Sequence, residues 1–144
     1  MTSPLAGPGA LGISGSGITA DRLWMDVIAE NLANMDSTQT PGGGPYRRLE
    51  VVLAPSGGFA QALAGAAQGV EVAAVVPDPS PFPMRYDPGA PGANAQGYVA
   101  MPNVNEVTEM TDLTAASQSY DANATALGVE AQAAQTALSM AQRA

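Results

Sequence analysis

Carboxylates are the most abundant reactive side chains in this 144-residue chain, which has thirteen Asp and Glu, five Arg and no His, Cys or Lys. Glu106, Glu109 and Asp112 follow one another at intervals of three residues, and such neighbouring acids can support general acid–base chemistry. The same three residues begin the long helix predicted at the C-terminal end, where the helix dipole stabilises negative charge. We therefore interpret them as structural and predict no catalytic residue.

The Gly-rich segment near the start of the chain is a second candidate for chemistry. Gly7 to Gly12 fit the G-x-G-x-x-G spacing of dinucleotide-binding loops, but that motif needs a preceding strand and only a short leader is present. Ser14 and Ser16 have no His to activate them as nucleophiles. The lack of His and Cys also removes the commonest metal ligands. The sequence thus predicts no enzyme activity, no cofactor and no metal site.

Net charge and hydropathy exclude two classes of partner. The formal net charge is −8, and Arg47-Arg48 is the one basic cluster, so we expect no nucleic-acid binding. No stretch is apolar for long enough to span a bilayer, so we expect no direct membrane insertion. Residues 1–10 do not resemble a cleaved secretory signal, and we interpret them as a flexible leader. Aromatic residues make up only 5% of the chain, so a large dry core is not expected.

Two segments carry the periodicity of packed helices. Residues 11–35 and 110–141 place apolar or small residues at alternating intervals of three and four, which predicts helices over 11–34 and from Asn103 almost to the end. Three Gly between Gly12 and Gly17 leave open a shorter first helix that starts near Ala20 and is capped by Ser16 or Thr19. The larger residues of the two stripes form the predicted subunit interface: Ile18, Met25, Ile28, Leu32, Met110, Leu113, Tyr120, Leu127 and Leu138.

Both stripes are thin because polar and small residues interrupt them. Burial of Ile18, Met25, Ile28 and Leu32 would contribute on the order of 6–12 kcal/mol. Fixing the backbone of about 24 residues costs roughly 24–48 kcal/mol before hydrogen bonds are counted. We therefore expect the terminal helices to be loose in the free chain and to gain order by packing against other subunits.

The middle of the chain has short strands and frequent turns. Residues 36–45 form a break, and strands are predicted at 46–53, 70–76 and 98–101. Residues 77–92 hold six Pro and are predicted to be extended, whereas residues 54–68 have no assignable pattern. The predicted class is α+β, with long N- and C-terminal helices as a coiled-coil-like pair. The predicted segments are a leader (1–10), helical core segments (11–35 and 103–144) and a β-rich, Pro/Gly-rich middle (36–102).

Several motifs in order along the chain resemble the bacterial flagellar rod and hook proteins. The first helix ends in an N-x-A-N motif, formed by Asn31, Ala33 and Asn34. Segments at 40–48, 78–82, 86–89, 97–99, 101–104 and 109–123 are similar to the proximal rod proteins of that family. The first of these segments includes five of the motif residues: Gly44, Pro45, Tyr46, Arg47 and Arg48.

The resemblance implies a non-enzymatic rod subunit of the flagellar basal body. Family membership implies export by the flagellar type III apparatus without a cleaved signal, and assembly in the periplasm. The implied partners are other rod proteins and the parts that join the rod to the membrane ring. Two alternatives stay open: another axial rod protein of the same family and, more distantly, a helical export adaptor.

Overall fold

The computed structural model describes residues 10–57 and 68–142. Most of the predicted leader and of the unassigned segment 54–68 lies outside these ranges. The predicted α+β class, with a long helix near each end, is confirmed. The elements are, in order, α1 (Ala10–Ala33), β1 (Leu49–Ser56), β2 (Gly69–Pro77), β3 (Met84–Tyr86), β4 (Tyr98–Ala100) and α2 (Glu106–Ala141).

The described residues divide into two compact units. The first unit contains the described parts of residues 1–23, 53–73 and 115–144, and the second unit contains residues 24–52 and 74–114. In the first unit α1 and α2 are antiparallel, because Ser14 contacts Glu130 while Asp21 contacts Asn123. In the second unit the two helices meet where the amide of Asn31 contacts a carboxylate in the first turn of α2.

Few large apolar side chains are buried, in agreement with the low aromatic content. Among the described residues, Ile28 is the largest buried apolar side chain, with 2% of its surface exposed. The buried apolar residues of the described ranges include Ala20, Val27, Ile28, Val99 and Ala116. The remaining buried positions include polar residues, so hydrogen bonds carry part of the packing.

Helix α1 is continuous through its Gly-rich start. It begins at Ala10, and the hydroxyls of Ser16 and Thr19 donate to the carbonyls of Ile13 and Gly15 within the helix. The alternative of a shorter helix that Ser16 or Thr19 caps is therefore wrong. Contacts with the rest of the first unit outweigh the weak helix propensity of the three Gly.

The strands form two separate two-stranded sheets in the described part of the chain. Strands β1 and β2 pair with each other, and just beyond them the Asp78 N–H donates to the Arg48 carbonyl at 2.8 Å. Strands β3 and β4 are antiparallel, with Arg85 opposite Val99. The side chain of Val99 is 3% exposed, so this face of the small sheet points into the second unit.

The structure corrects the predicted bounds of β1, the predicted extended segment and the predicted start of α2. Strand β1 extends from Leu49 to Ser56 instead of from 46 to 53, because the backbone N–H of Arg48 donates to the Asn103 side chain and not to a strand. Strand β3 lies inside the segment predicted to be merely extended. Helix α2 starts at Glu106 instead of Asn103, since Asn105 caps it by accepting the Thr108 N–H at 3.1 Å.

Candidate functional site

The side chain of Asn31 joins three elements of the second unit. Its Oδ1 accepts the Tyr46 hydroxyl at 3.0 Å and the Leu49 N–H at 2.9 Å. Its Nδ2 donates to the Leu49 carbonyl at 2.9 Å and to Glu109 Oε2 at 3.0 Å. Asn31 is 1% exposed, and all four hydrogen-bonding positions of its amide are used. This residue therefore ties the last turns of α1 to β1 and to the first turn of α2.

Arg48 neutralises a fully buried carboxylate. Glu109 is 0% exposed, and its Oε1 accepts a hydrogen bond from Nε of Arg48. The same guanidinium pairs with Glu50 and, at 3.3 Å, with Asp112. Burial lowers the pKa of Arg48, but the hydrogen bond and charge of Glu109 outweigh burial and raise it overall. We call Asn31, Tyr46, Arg48 and Glu109 the motif network.

The phenol of Tyr46 stays protonated in this setting. Burial, together with the negative charges of Glu30 and Glu109, raises its pKa to about 12. A protonated phenol is required here because its hydroxyl donates to Asn31. The tyrosine thus works as a permanent donor and not as an acid or base near neutral pH.

Arg47 fixes the Pro-rich segment that follows β2. Its Nη1 donates to the carbonyls of Asp78 at 2.7 Å and Ser80 at 3.0 Å, and its guanidinium carbon lies 4.2 Å from the centre of the Phe82 ring. Hydrogen bonds from the side chain and backbone of Ser80 lower the pKa of Asp78. Asn103 adds an Nδ2 donor to the Ser80 hydroxyl at 2.9 Å.

The turn after α1 places the other motif residues. Asn34 donates to the carbonyl of Glu30 at 2.9 Å, and exposed Ala33 ends the helix. Gly44 has a φ of 77°, which favours glycine, and its carbonyl accepts the Thr40 N–H at 2.9 Å. Pro45 lies between this turn and Tyr46, the next residue of the motif network. An open cleft of about 410 Å³ borders this turn, and its lining contains no charged side chain.

The structure distributes the nine predicted interface residues over several environments. Ile28 is buried within the single chain. Met110 and Leu138 are 53% and 61% exposed. The other six are half-buried: Ile18, Met25, Leu32, Leu113, Tyr120 and Leu127.

Sequence reasoning missed the true role of Glu109. It does lie in the first turn of α2, as predicted, but it is the buried counter-ion of Arg48. Asn103 was also missed, although its Oδ1 accepts the Arg48 N–H at 2.8 Å. The adjacent pair Arg47-Arg48 was the sequence signal that could have revealed these partners. A cation that is removed from water needs a carboxylate or carbonyl partner, so two adjacent Arg in an acidic chain predict such partners elsewhere in the chain.

The described residues contain no cluster of three or more acids that could hold a metal ion. Within the same ranges, no helix combines the length and apolar character needed to cross a bilayer. The hydrogen bonds of the motif network join α1, β1 and α2.

Comparisons with known proteins place the chain among flagellar proteins. Residues 95–140 match the family model described as flagellar basal body rod FlgEFG protein C-terminal. The flagellar basal-body rod protein FlgC of Borreliella burgdorferi is 38% identical over 146 residues, which cover 92% of this chain and 96% of the relative. The FlgC proteins of Bacillus subtilis and Escherichia coli are 42% and 46% identical and cover 82% and 77% of this chain, or 87% and 80% of the relatives.

Proposed function

This chain belongs to the FlgC family of flagellar basal-body rod proteins, and we propose that it polymerises through its terminal helices into the drive shaft that transmits torque for motility. As a member of this family it is a structural rod component and not an enzyme. The observation that carries this conclusion is 38% identity to one FlgC protein over 92% of the chain. The alternatives of another axial rod protein or an export adaptor give way to it.

The motif network supports a role as a rigid part. Asn31, Tyr46 and Arg48 belong to the motifs that carry the family resemblance, and all contact one another or Glu109 in the second unit. A buried, fully paired polar network specifies one arrangement of the elements that it joins. Such an arrangement suits a subunit that transmits mechanical load and performs no chemistry.

The C-terminal part of α2 supports assembly through helices. Residues 131–142 are all exposed, and Leu138 and Met140 are 61% and 62% exposed. Exposed apolar side chains on a helix favour burial against a neighbouring molecule. We propose that the interface residues named above act in subunit packing, with Met110 and Leu138 as direct contacts and Ile28 acting through the fold of its own chain.

We further propose the finer partners and the location that the resemblance implies. The chain would be exported by the flagellar type III apparatus without a cleaved signal and would assemble in the periplasm. Its neighbours would be other rod proteins and the junction between the rod and the membrane ring. Residues 11–35 and 103–144 would form the rod core, and residues 36–102 would lie outside it.

Complementation of a strain that lacks this chain tests the proposed interface. Leu138→Asp should abolish swimming and flagella but leave secretion and the helical circular dichroism of the purified chain unchanged, because Leu138 is exposed in the single chain. Gln132→Asp is the matched control, since Gln132 is also exposed on α2 but lies on another side of the helix. Normal flagella with Leu138→Asp would refute a direct contact there.

A further inference from the structure

In the first unit α1 and α2 pack through small residues. Ala20 and Ala116 are 4% and 0% exposed. A Cβ atom added to Gly17 would lie 2.6 Å from Nδ2 of Asn123, so the helices are close at this point. Residues 115–141 of α2 are rich in Ala, Ser and Thr. Sliding one helix past the other by a turn would exchange small residues for one another at many of these positions, so the apolar contacts discriminate only weakly between registers.

Buried polar side chains in the same helix–helix contact depend on one particular alignment of the two helices. Asp21 is 6% exposed, and its Oδ2 accepts the Ser119 hydroxyl at 3.1 Å and Asn123 Nδ2 at 2.9 Å. Ser14 is 7% exposed and donates to Glu130 Oε1 at 3.2 Å. Ser14 and Asp21 are seven residues apart, as are Asn123 and Glu130, so each pair lies on one face of its helix.

A slip of one turn breaks this pattern in either direction. A four-residue shift one way would place Asp21 beside Ala115 and Ser119, and Ser14 beside Ala126. A shift the other way would place Asp21 beside Asn123 and Leu127, and Ser14 beside Ala134. In both cases Asp21 loses one of its two donors and Ser14 loses its acceptor. An unpaired buried polar group is far more costly than the exchange of one alanine for another.

We propose that Asp21, through Ser119 and Asn123, sets the register of α1 against α2. It is a positioning residue: its hydrogen bonds favour one alignment of the two helices in the first unit, as the Asn31–Glu109 hydrogen bond does in the second unit. The relevance to the rod rests on the proposed function, because the register decides which residues of the two helices stand side by side on the outer surface. The register itself is a property of the single chain.

Distance measurement in the full chain tests this proposal. The sequence has no Cys, so Thr19→Cys with Gln118→Cys allows two spin labels at exposed positions, one on each helix. The labelled parent should give one narrow distance. Removal of the pair by Asp21→Leu with Asn123→Leu, or by Asp21→Ala with Asn123→Ala, should broaden this distance or add a second population, because a slip of one helical turn moves one label by about 5.4 Å along the helix axis relative to the other.

Two further variants make the result decisive. Asp121→Leu is the matched control, because Asp121 is exposed on α2 and undergoes the same chemical change; it should keep the single distance. The exchange Asp21→Asn with Asn123→Asp restores a donor–acceptor pair and should restore the narrow distance.

A single parental distance in both apolar variants would overturn the proposal. So would loss of helical circular dichroism in both, which would assign the pair to stability and not to register. The distance measurement does not depend on assembly of the rod. A negative result with Leu138→Asp would therefore not affect the proposed register, and a negative distance result would not affect the proposed function.

Discussion

At the level of single residues, the buried carboxylate of Glu109 depends on one cation. The Arg48 side chain is 17% exposed and Glu109 is 0% exposed. Arg48→Met would leave a buried charge unpaired and should lower the free energy of unfolding by about 3–5 kcal/mol, measured by urea denaturation. Arg48→Met with Glu109→Met should recover most of that loss.

A surface ion pair provides the control for this prediction. Arg85 and Asp87 are 3.8 Å apart, with side chains 57% and 43% exposed. Because solvent screens such a pair, Arg85→Met should cost at most about 1 kcal/mol. Equal losses for Arg48→Met and Arg85→Met would mean that burial of the network contributes nothing.

Alkaline pH should weaken the fold through Tyr46. Its pKa is raised to about 12 in the folded chain, so between the pKa of an ordinary phenol, about 10, and that value the folded state holds a proton that the unfolded state releases. Stability is therefore complete below about pH 10 and decreases as the pH rises toward 12. Urea midpoints at about pH 9 and 11 should differ more in the parent than in Tyr46→Phe.

The sequence located the motif residues but not their partners. Asn31, Tyr46 and Arg48 stand out because they match family motifs, and their short separation in the chain makes them visible together. Glu109 is 61 residues from Arg48, and its position in a first helical turn already explained its charge. Only the contacts of Glu109 with Asn31 and Arg48 in the folded chain show that its carboxylate has lost all contact with water.

At the level of elements, two Gly in α1 have opposite surroundings. An added Cβ at Gly15 would meet no atom within 4 Å, so Gly15→Ala should stabilise the chain by about 1 kcal/mol through helix propensity. At Gly17 the same atom would lie 2.6 Å from Asn123 Nδ2, which donates to Asp21. Gly17→Ala should displace that side chain and destabilise the helix pair, by about 1–3 kcal/mol.

Thermal or urea unfolding of the two variants tests this contrast. They share the host helix, the chemical change and nearly the same position. A stabilisation of Gly17→Ala as large as that of Gly15→Ala would show that the helices are not in close contact at this point.

Periodicity predicted both helices but only approximate ends for the strands. The stripes of residues 11–35 and 110–141 extend over several turns, so single residues that break the pattern do not change the prediction of a helix. The start of β1 depends on how Arg48 is used: its N–H binds the Asn103 side chain and not a strand. That bond connects residues 55 positions apart, and no local pattern reveals it.

At the level of the whole molecule, the first-unit part of α1 has little apolar support. Of its side chains between residues 11 and 23, Ala20 is the one buried apolar group, and Ser14 and Asp21 are buried polar groups. We expect amides of residues 11–23 to exchange faster in the free chain than in purified rods, measured by hydrogen–deuterium exchange with mass spectrometry. The Leu49 amide, bound to Asn31, is the internal reference for slow exchange.

Uniformly slow exchange of residues 11–23 in the dilute, unassembled chain would contradict this expectation. It would mean that the contacts within one molecule already complete the helix. Packing between subunits would then add no order to α1.

Proline at the ends of the strands has a consequence for how copies aggregate. A two-stranded sheet leaves an open edge on each strand, and open edges invite uncontrolled addition of strands from other molecules. Pro55 lies within β1 and Pro77 ends β2, and neither can donate a backbone hydrogen bond to an incoming strand. Each Pro thus removes one donor that an incoming strand could use, which disfavours amyloid-like stacking of this sheet.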